Sequence, residues 1–277
     1  QTDKKALHIP FKIALYGNQA ALPLVINGQN QGTETVLDIC QDEQTIVFEQ
    51  VTESPIPSLL RSFSAPVKIS YDYQLPQLQQ LILLDNDGFC RWDAMQNLMR
   101  MALSKAIDGE DNHAEQAALI AVIKQLLTNH ASMDAALLAC MLSLPNSPYL
   151  ASLYEKADPV AISQARTQLQ DQIASELQTE LLNCYQTLQD QVHGLTAPAM
   201  AARSLRNAAL AYLLHIDAAR YRELAQQQFA QADNMTDQYA ALCALVHAEH
   251  AATMAQEALA AFYQQWQHEA LVVNMWF

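Results

Sequence analysis

His247 and His250 stand about one helical turn apart, and two imidazoles at that spacing can share one metal ion. The segment His247-Ala248-Glu249-His250 offers them no convincing third ligand, so it reads as an ordinary helix carrying histidines. A zinc peptidase needs H-E-x-x-H, which puts two histidines on one helix face with a glutamate beside the metal-bound water. His268-Glu269 begins that motif, but Ala270, Leu271 and Val272 follow and the second histidine is missing. Asp85-Asn86-Asp87-Gly88 has the residue types of a calcium loop. With Gly88 at the sixth loop position, Leu83 falls at the first and Ala94 at the twelfth, where oxygen ligands are required. The segment therefore reads as an inter-helix turn, with Asp85 or Asp87 capping the helix that follows.

Other chemistries fare no better. There is no G-x-S-x-G, no phosphate-binding P-loop and no G-x-G-x-x-G. Cys40, Cys90, Cys140, Cys184 and Cys243 form no C-x-x-C pair, which removes a zinc ribbon and a thioredoxin-type site. A Cys–His nucleophile needs its partners to meet only in space, so sequence leaves it open. Arg91-Trp92-Asp93 and Arg203 with Arg206-Asn207 are the more distinctive clusters. Trp92 is expected to anchor the core between two halves of the chain. Arg91 and Asp93 are expected to be structural ion-pair or capping groups. No catalytic, cofactor-binding or metal-ligating residue is assigned.

The composition narrows the partners. Against 15 Lys+Arg stand 29 Asp+Glu, a formal charge of −14, which repels nucleic-acid phosphates and anionic membrane surfaces. No apolar run reaches the ~20 residues of a spanning helix. The polar Gln1–Lys5 stretch has no signal-peptide core and no initiator Met, which points to a start inside a longer chain. Unpaired, mostly buried thiols and a cytoplasmic location are the expectation.

The elements that would position these residues change character along the chain. Up to about residue 74 the apolar residues alternate: Ile9, Phe11, Ile13 and Leu15; Leu22, Leu24 and Ile26; Ile46 and Phe48; Val67, Ile69, Tyr71 and Tyr73. Period two puts each set on one face of a strand. Gly17-Asn18, Asn27-Gly28, Gly32 and Pro55-Ile56-Pro57 read as turns between them. From residue 75, Ala, Leu and Gln dominate and the spacing turns helical. Asp158-Pro159 opens an amphipathic helix of seven or eight turns, with Ala165, Leu169, Ile173, Leu177, Leu181 and Leu188 on its apolar face. Further helices are expected at about 88–107, 113–128, 132–143, 198–215, 218–231, 236–250 and 252–267. The fold class is α+β with the two kinds segregated: a small Ig-like antiparallel β-sandwich at 1–74, then an all-α solenoid of helical hairpins at 75–277.

Several short motifs resemble one family. His8-Ile9-Pro10-Phe11 and Phe63-Ser64-Ala65-Pro66-Val67-Lys68 resemble the small β-sandwich that follows the catalytic domain in the bacterial aminopeptidase N family. Asn86-Asp87-Gly88-Phe89, leading to Arg91-Trp92-Asp93-Ala94-Met95-Gln96, resembles the start of that family's helical domain. Arg203-Ser204-Leu205-Arg206-Asn207, Asn234-Met235-Thr236-Asp237 and the ending Trp266…Trp276-Phe277 are similar to it as well, in the same order.

The resemblance implies a four-part parent enzyme that removes residues from peptide amino termini. Its zinc-bound water would be activated beside a glutamate in an upstream domain. Zinc belongs to that parent and none is expected here, because no position of this chain matches the family's zinc or substrate-amine motifs. The implied partners are the upstream catalytic domain and the parent's peptide substrates. The helical part, incomplete at its C-terminal end, would wall and gate the active-site chamber. Composition alone equally allows a stand-alone α-solenoid that binds proteins or peptides and has no enzymatic activity.

Overall fold

The computed structural model describes residues 6–191, 193–247 and 252–276. The chain divides into two compact units: residues 1–105 with 110–122, and residues 106–109 with 123–277.

The first unit is built around β1 (Ile9–Tyr16). It pairs antiparallel with β4 (Glu34–Ile39) on one side and β5 (Ile56–Leu59) on the other, in the order β4-β1-β5. A separate hairpin joins β2 (Val25–Ile26) to β3 (Gln29–Asn30). Its turn residues Asn27 and Gly28 both have positive φ, the geometry that Asn-Gly adopts most readily in a two-residue hairpin. Ile13, Leu15 and Leu24 form the core of the sheet, with Phe11, Leu22, Leu37, Phe48, Val51 and Leu59 packed against them. On the other face Ala14 and Tyr16 are also buried, so the central strand is covered on both sides.

Two strand expectations and one turn expectation fail. Val67–Tyr73 alternates but joins no sheet among the described residues. Its amides close tight local turns instead, Val67 N–H to Ala65 O at 2.9 Å and Tyr73 N–H to Tyr71 O at 3.1 Å. Ile46–Phe48 contributes only an isolated bridge, Glu49 opposite Val25. Pro55-Ile56-Pro57, read as a turn, begins β5, where Pro57 is tolerated because β5 is an edge strand and that position needs no ladder donor. β4 was not among the expected strands, although Thr35, Leu37 and Ile39 are half-buried between exposed Glu34, Val36 and Asp38.

Helices α1 (Leu75–Leu84), α2 (Gly88–Ile107) and the first turns of α3 (His113–Thr128) complete this unit. Gln74 and Gln77 form a reciprocal capping pair at the start of α1. Asp87 caps α2, accepting from Cys90 N–H at 3.0 Å. After α2, Gly109 at φ 71 allows its own N–H to reach Ala106 O and Glu110 N–H to reach Lys105 O, closing the helix in a Schellman turn.

The second unit holds the rest of α3 and then α4 (Ala135–Met141), α5 (Ser147–Ala151), α6 (Pro159–Glu176), α7 (Gln178–Thr187), α8 (Ala197–Ile216), α9 (Ala218–Gln231), α10 (Met235–His247), α11 (Ala252–Trp266) and α12 (Ala270–Trp276). The helix α8 is the organising element and packs against α4, α6, α7, α9 and α10. Leu205, Ala209, Leu210 and Leu213 along it are wholly buried. Each such leucine contributes roughly 1.5–3 kcal/mol of burial.

The single helix expected from Asp158 is two helices. Asp158 caps α6 through Val160 and Ala161 N–H, as its position requires. Leu177 then leaves helical geometry at φ −113°, ψ 20°, and α7 restarts at once. The reason lies in the spacing. Ala165, Leu169, Ile173, Leu177 and Leu181 repeat every four residues and all are buried. At 3.6 residues per turn each step drifts by about 40°, so an unbroken helix would rotate the stripe away from its neighbours. Pro145–Pro148, expected to be a break, contains the short α5, with Asn146 accepting from Tyr149 N–H and proline in the first turn.

Candidate functional site

The second unit carries a buried polar cluster between α7, α8, α9 and α10. Arg206, on α8, is 8% exposed. Its Nη2 donates to the Tyr185 hydroxyl at 3.0 Å, and its guanidinium carbon lies 4.5 Å from the centre of the Tyr185 ring, a cation–π stack. The Tyr185 hydroxyl donates to Gln228 Oε1 at 3.1 Å. Gln228 Nε2 then donates to Asn207 Oδ1 at 2.7 Å and to the Asp237 carbonyl at 3.1 Å. Asn207 Nδ2 reaches Asp237 Oδ1 at 3.0 Å. Asn234 caps α10, accepting from Asp237 N–H at 2.9 Å while its own amide donates to Asp237 Oδ2 at 3.2 Å. Asn-Met-Thr-Asp is thus a helix start whose last residue, Asp237, is tied into the neighbouring helices. Burial raises the Tyr185 pKa, which the Arg206 charge only partly offsets, so the phenol stays a neutral donor.

Beside this cluster lies a hollow of about 190 Å³, lined by Arg206, Gln228, Asp237, Gln189, His193 and Asp233 among others. The first unit has a hollow of about 380 Å³ beside Tyr71, Tyr73, Asn97 and Arg100, where Arg100 donates to Asn97 at 3.3 Å.

A second buried cluster sits within the first unit. Arg61 is 2% exposed and held between strands and helices. Its Nη1 donates to Asp85 Oδ1 at 2.7 Å and Ser58 Oγ at 2.9 Å, its Nε to Glu34 Oε2 at 3.0 Å, and its Nη2 to Asn86. The Tyr16 hydroxyl donates to Asp85 Oδ1 at 3.1 Å and accepts from Asn86 N–H at 2.9 Å. Leu60, Ser62 and Phe63 around Arg61 all have positive φ. Three non-glycine residues in that region store backbone strain, which the Arg61 contacts offset. Burial alone would lower the Arg61 pKa, but the charges and hydrogen bonds of Asp85 and Glu34 outweigh it and raise it, keeping the group ionised.

The residues singled out by sequence are placed as follows. Asp87 is the cap of α2, as expected, while Asp85 is the buried partner of Arg61. Arg91 caps the end of α1, its Nε donating to Ile82 O at 2.9 Å. Asp93 pairs with the Asn97 amide at 3.1 Å, and burial raises its pKa. Trp92 does not anchor the core: it is 36% exposed and rests against the Phe89 ring on the outer face of α2. Arg203 donates to Gly194 O at 2.6 Å, whereas Arg206 and Asn207 belong to the cluster above. His268 and Glu269 are exposed in the turn before α12. His250 and the side chain of His247 lie outside the described residues. The thiols are less hidden than expected: Cys90 and Cys184 are buried, Cys243 is half-buried, and Cys40 and Cys140 are exposed. All five are unpaired.

Among the described residues no group of three or more His, Cys, Asp or Glu side chains is placed to hold a metal ion. Nor do these clusters look like nucleophile–base pairs. Cys184 is pushed up to about 12 by burial, and the polar groups near Arg206 are amides, a phenol and a carboxylate already hydrogen-bonded to one another. Sequence reasoning missed Tyr16, Glu34, Arg61, Tyr185 and Gln228. The available signal was a lone Arg61 set between Leu59-Leu60 and Phe63 in a stretch with little other charge.

A sheet unit and a helical unit, each with its own buried arginine cluster, make an architecture that comparison with known proteins places. Two family models match the chain: a domain of unknown function with an Ig-like fold, DUF3458, over residues 1–72, and its companion with ARM repeats, DUF3458_C, over residues 76–277. The chain belongs to the DUF3458_C family. It is 35% identical to aminopeptidase N of Haemophilus influenzae and 35% identical to that of Escherichia coli, in each case over 100% of this chain and 32% of the relative. Aminopeptidase N of Caulobacter vibrioides is 33% identical over 88% of the chain and 28% of that protein. Among solved structures, aminopeptidase A of Legionella pneumophila in complex with aspartic acid superposes with a TM-score of 0.79 at 28% identity, over 98% of this chain and 31% of that one. The DUF3458_C chain therefore spans about a third of the length of these relatives. No described helix is long and apolar enough to cross a membrane.

Proposed function

We propose that this chain is the non-catalytic C-terminal region of a zinc-dependent aminopeptidase, and that it walls and gates the chamber in which peptides are cleaved. The observation that supports this is the match over the whole chain to about a third of aminopeptidase N. The residues described here do not suit a zinc site, so no step of hydrolysis is assigned to them. The parent's metal and its peptide-cleaving groups belong to a domain outside this chain, the partner proposed for it. The role left to the DUF3458 and DUF3458_C regions is steric and electrostatic. A packed helical wall restricts access to small peptides and keeps bulk water from the reacting bond. The −14 charge favours peptides carrying free amino groups. Five unpaired thiols suit a reducing compartment, and we place the parent in the cytoplasm.

The test is hydrolysis of an alanine anilide, with zinc supplied, by the 277-residue chain and by the parent polypeptide. The chain is expected to be inactive. The parent is expected to be active, to lose activity to a chelator, and to cleave short peptides while sparing the amino termini of folded proteins. Activity that follows the isolated chain through purification, or a parent that trims folded proteins as readily as peptides, would sink this reading.

A further inference from the structure

The hollow beside α8 is a site of a kind the peptidase reading does not use. Its buried cation is Arg206, 8% exposed, which makes no ion pair with any described carboxylate. Its Nε is buried and has no hydrogen-bond partner among the described residues. Arg206 lines the hollow while held by a phenol oxygen and a ring face rather than by a carboxylate, so the edge of its guanidinium that borders the open volume can receive one. The remaining wall has the opposite sign. Asp233 and Asp237 both line the hollow. Asp237 is committed to Asn207 and Asn234. Asp233 stands at the solvent side, 62% exposed by side chain, with His193 at 3.6 Å. Hydrogen bonding from Asn234 lowers the Asp233 pKa, so it is ionised at neutral pH.

That charge pattern selects among ligands. A simple anion meets Arg206 but also faces two carboxylates. A simple amine meets Asp233 but also faces the buried guanidinium. A molecule that carries an ammonium and a carboxylate on one carbon satisfies both walls. The volume of about 190 Å³ corresponds to about six waters and lies below the ~300 Å³ at which drug-sized pockets begin, so the occupant is small. We propose that this hollow binds a small free α-amino acid, with Arg206 receiving its carboxylate and Asp233 facing its ammonium group. The site is non-catalytic and lies wholly within the second unit.

The 277-residue chain, titrated by calorimetry and by NMR of carboxyl-labelled alanine, tests this. Alanine is expected to saturate, while acetate and alaninamide, each lacking one charge, bind about tenfold weaker or less well still. Asp233→Asn alters an exposed residue, leaves the fold intact by circular dichroism, and is expected to weaken alanine about tenfold while leaving acetate unchanged or bound more tightly, since one repelling carboxylate is gone. Arg206→Lys keeps the charge, loses the fork and is expected to weaken both. Failure of alanine to saturate by roughly 100 mM, far above the millimolar range of weak specific binding, overturns the proposal. So does equal affinity for alanine and acetate in both the parent chain and Asp233→Asn.

Discussion

Replacing Arg61 by leucine should unfold the first unit far more easily than any surface change, because it strands Asp85. The Asp85 side chain is wholly buried and Arg61 is its cationic partner at 2.7 Å. Glu34, the other carboxylate on Arg61, is 41% exposed by side chain and also holds Lys12 at 2.6 Å, so water and Lys12 can satisfy it. The loss is therefore governed by one uncompensated buried carboxylate, about 3–5 kcal/mol. The strain at Leu60, Ser62 and Phe63, no longer offset, adds to it. For a unit of this size, where about 4 °C accompanies each kcal/mol, the midpoint should fall by about 12–20 °C. Trp92 is the tryptophan of the first unit, so urea and thermal unfolding followed by its fluorescence in a Trp266→Phe, Trp276→Phe background reports that unit. The double variant Arg61→Leu, Asp85→Leu removes the stranded charge and should recover much of the loss. A single variant costing under about 1 kcal/mol would refute the reasoning, as would a double variant as unstable as the two singles added together.

Asp93→Asn should stabilise the chain at pH 7 and not at pH 3. Burial raises the folded Asp93 pKa, so the unfolded state releases its proton first; the penalty is absent below the unfolded value near 3.9 and complete above the folded value. Unfolding midpoints of both proteins across that range check the sign, and a stabilisation of equal size at both pH values would count against it. Thiol titration under native conditions should give two fast groups, Cys40 and Cys140, and a slower Cys243. Cys90 and Cys184 should react only on unfolding, since burial keeps both as thiols; fast labelling of Cys184 would show that α7 opens.

The helical half was readable because its signals are local. Asp158-Pro159 and Asp87 are caps whose partners lie two or three residues on, and each forms the bonds its position implies. The ends of α2 and α3 follow from Asp108-Gly109 and from the loss of apolar period. Strands are different, because a strand exists only where another chain segment supplies donors and acceptors. Val67–Tyr73 has the better alternation, yet Glu34–Ile39 and Ile56–Leu59 are the segments that pair with β1. Period two describes which face a residue would take and says nothing about who stands beside it. The break at Leu177 was legible, since four consecutive four-residue steps exceed what one straight face can hold.

The polar clusters were less legible for the same reason carried further. Arg206 and Asn207 drew notice as a motif, as did Asp237 in Asn-Met-Thr-Asp, but nothing local ties the two motifs together, and Tyr185 and Gln228, 21 residues away, have nothing distinctive around them. Arg61 and Asp85 are 24 residues apart; Asp85 reads from sequence as a turn or cap residue, and Arg61 drew no reading. In both clusters one buried arginine is held by an aromatic hydroxyl, directly in Arg206–Tyr185 and through Asp85 in Arg61–Tyr16. The difference between them is the counter-charge. Arg61 has Asp85 and Glu34 and is closed, which makes it a structural lock. Arg206 has only neutral oxygen and a ring, and it borders open volume. A fold that needed only a lock at α8 would have supplied a carboxylate in contact, as it does for Arg61. That the guanidinium instead faces a hollow is the physical ground for expecting the missing negative charge to come from a ligand.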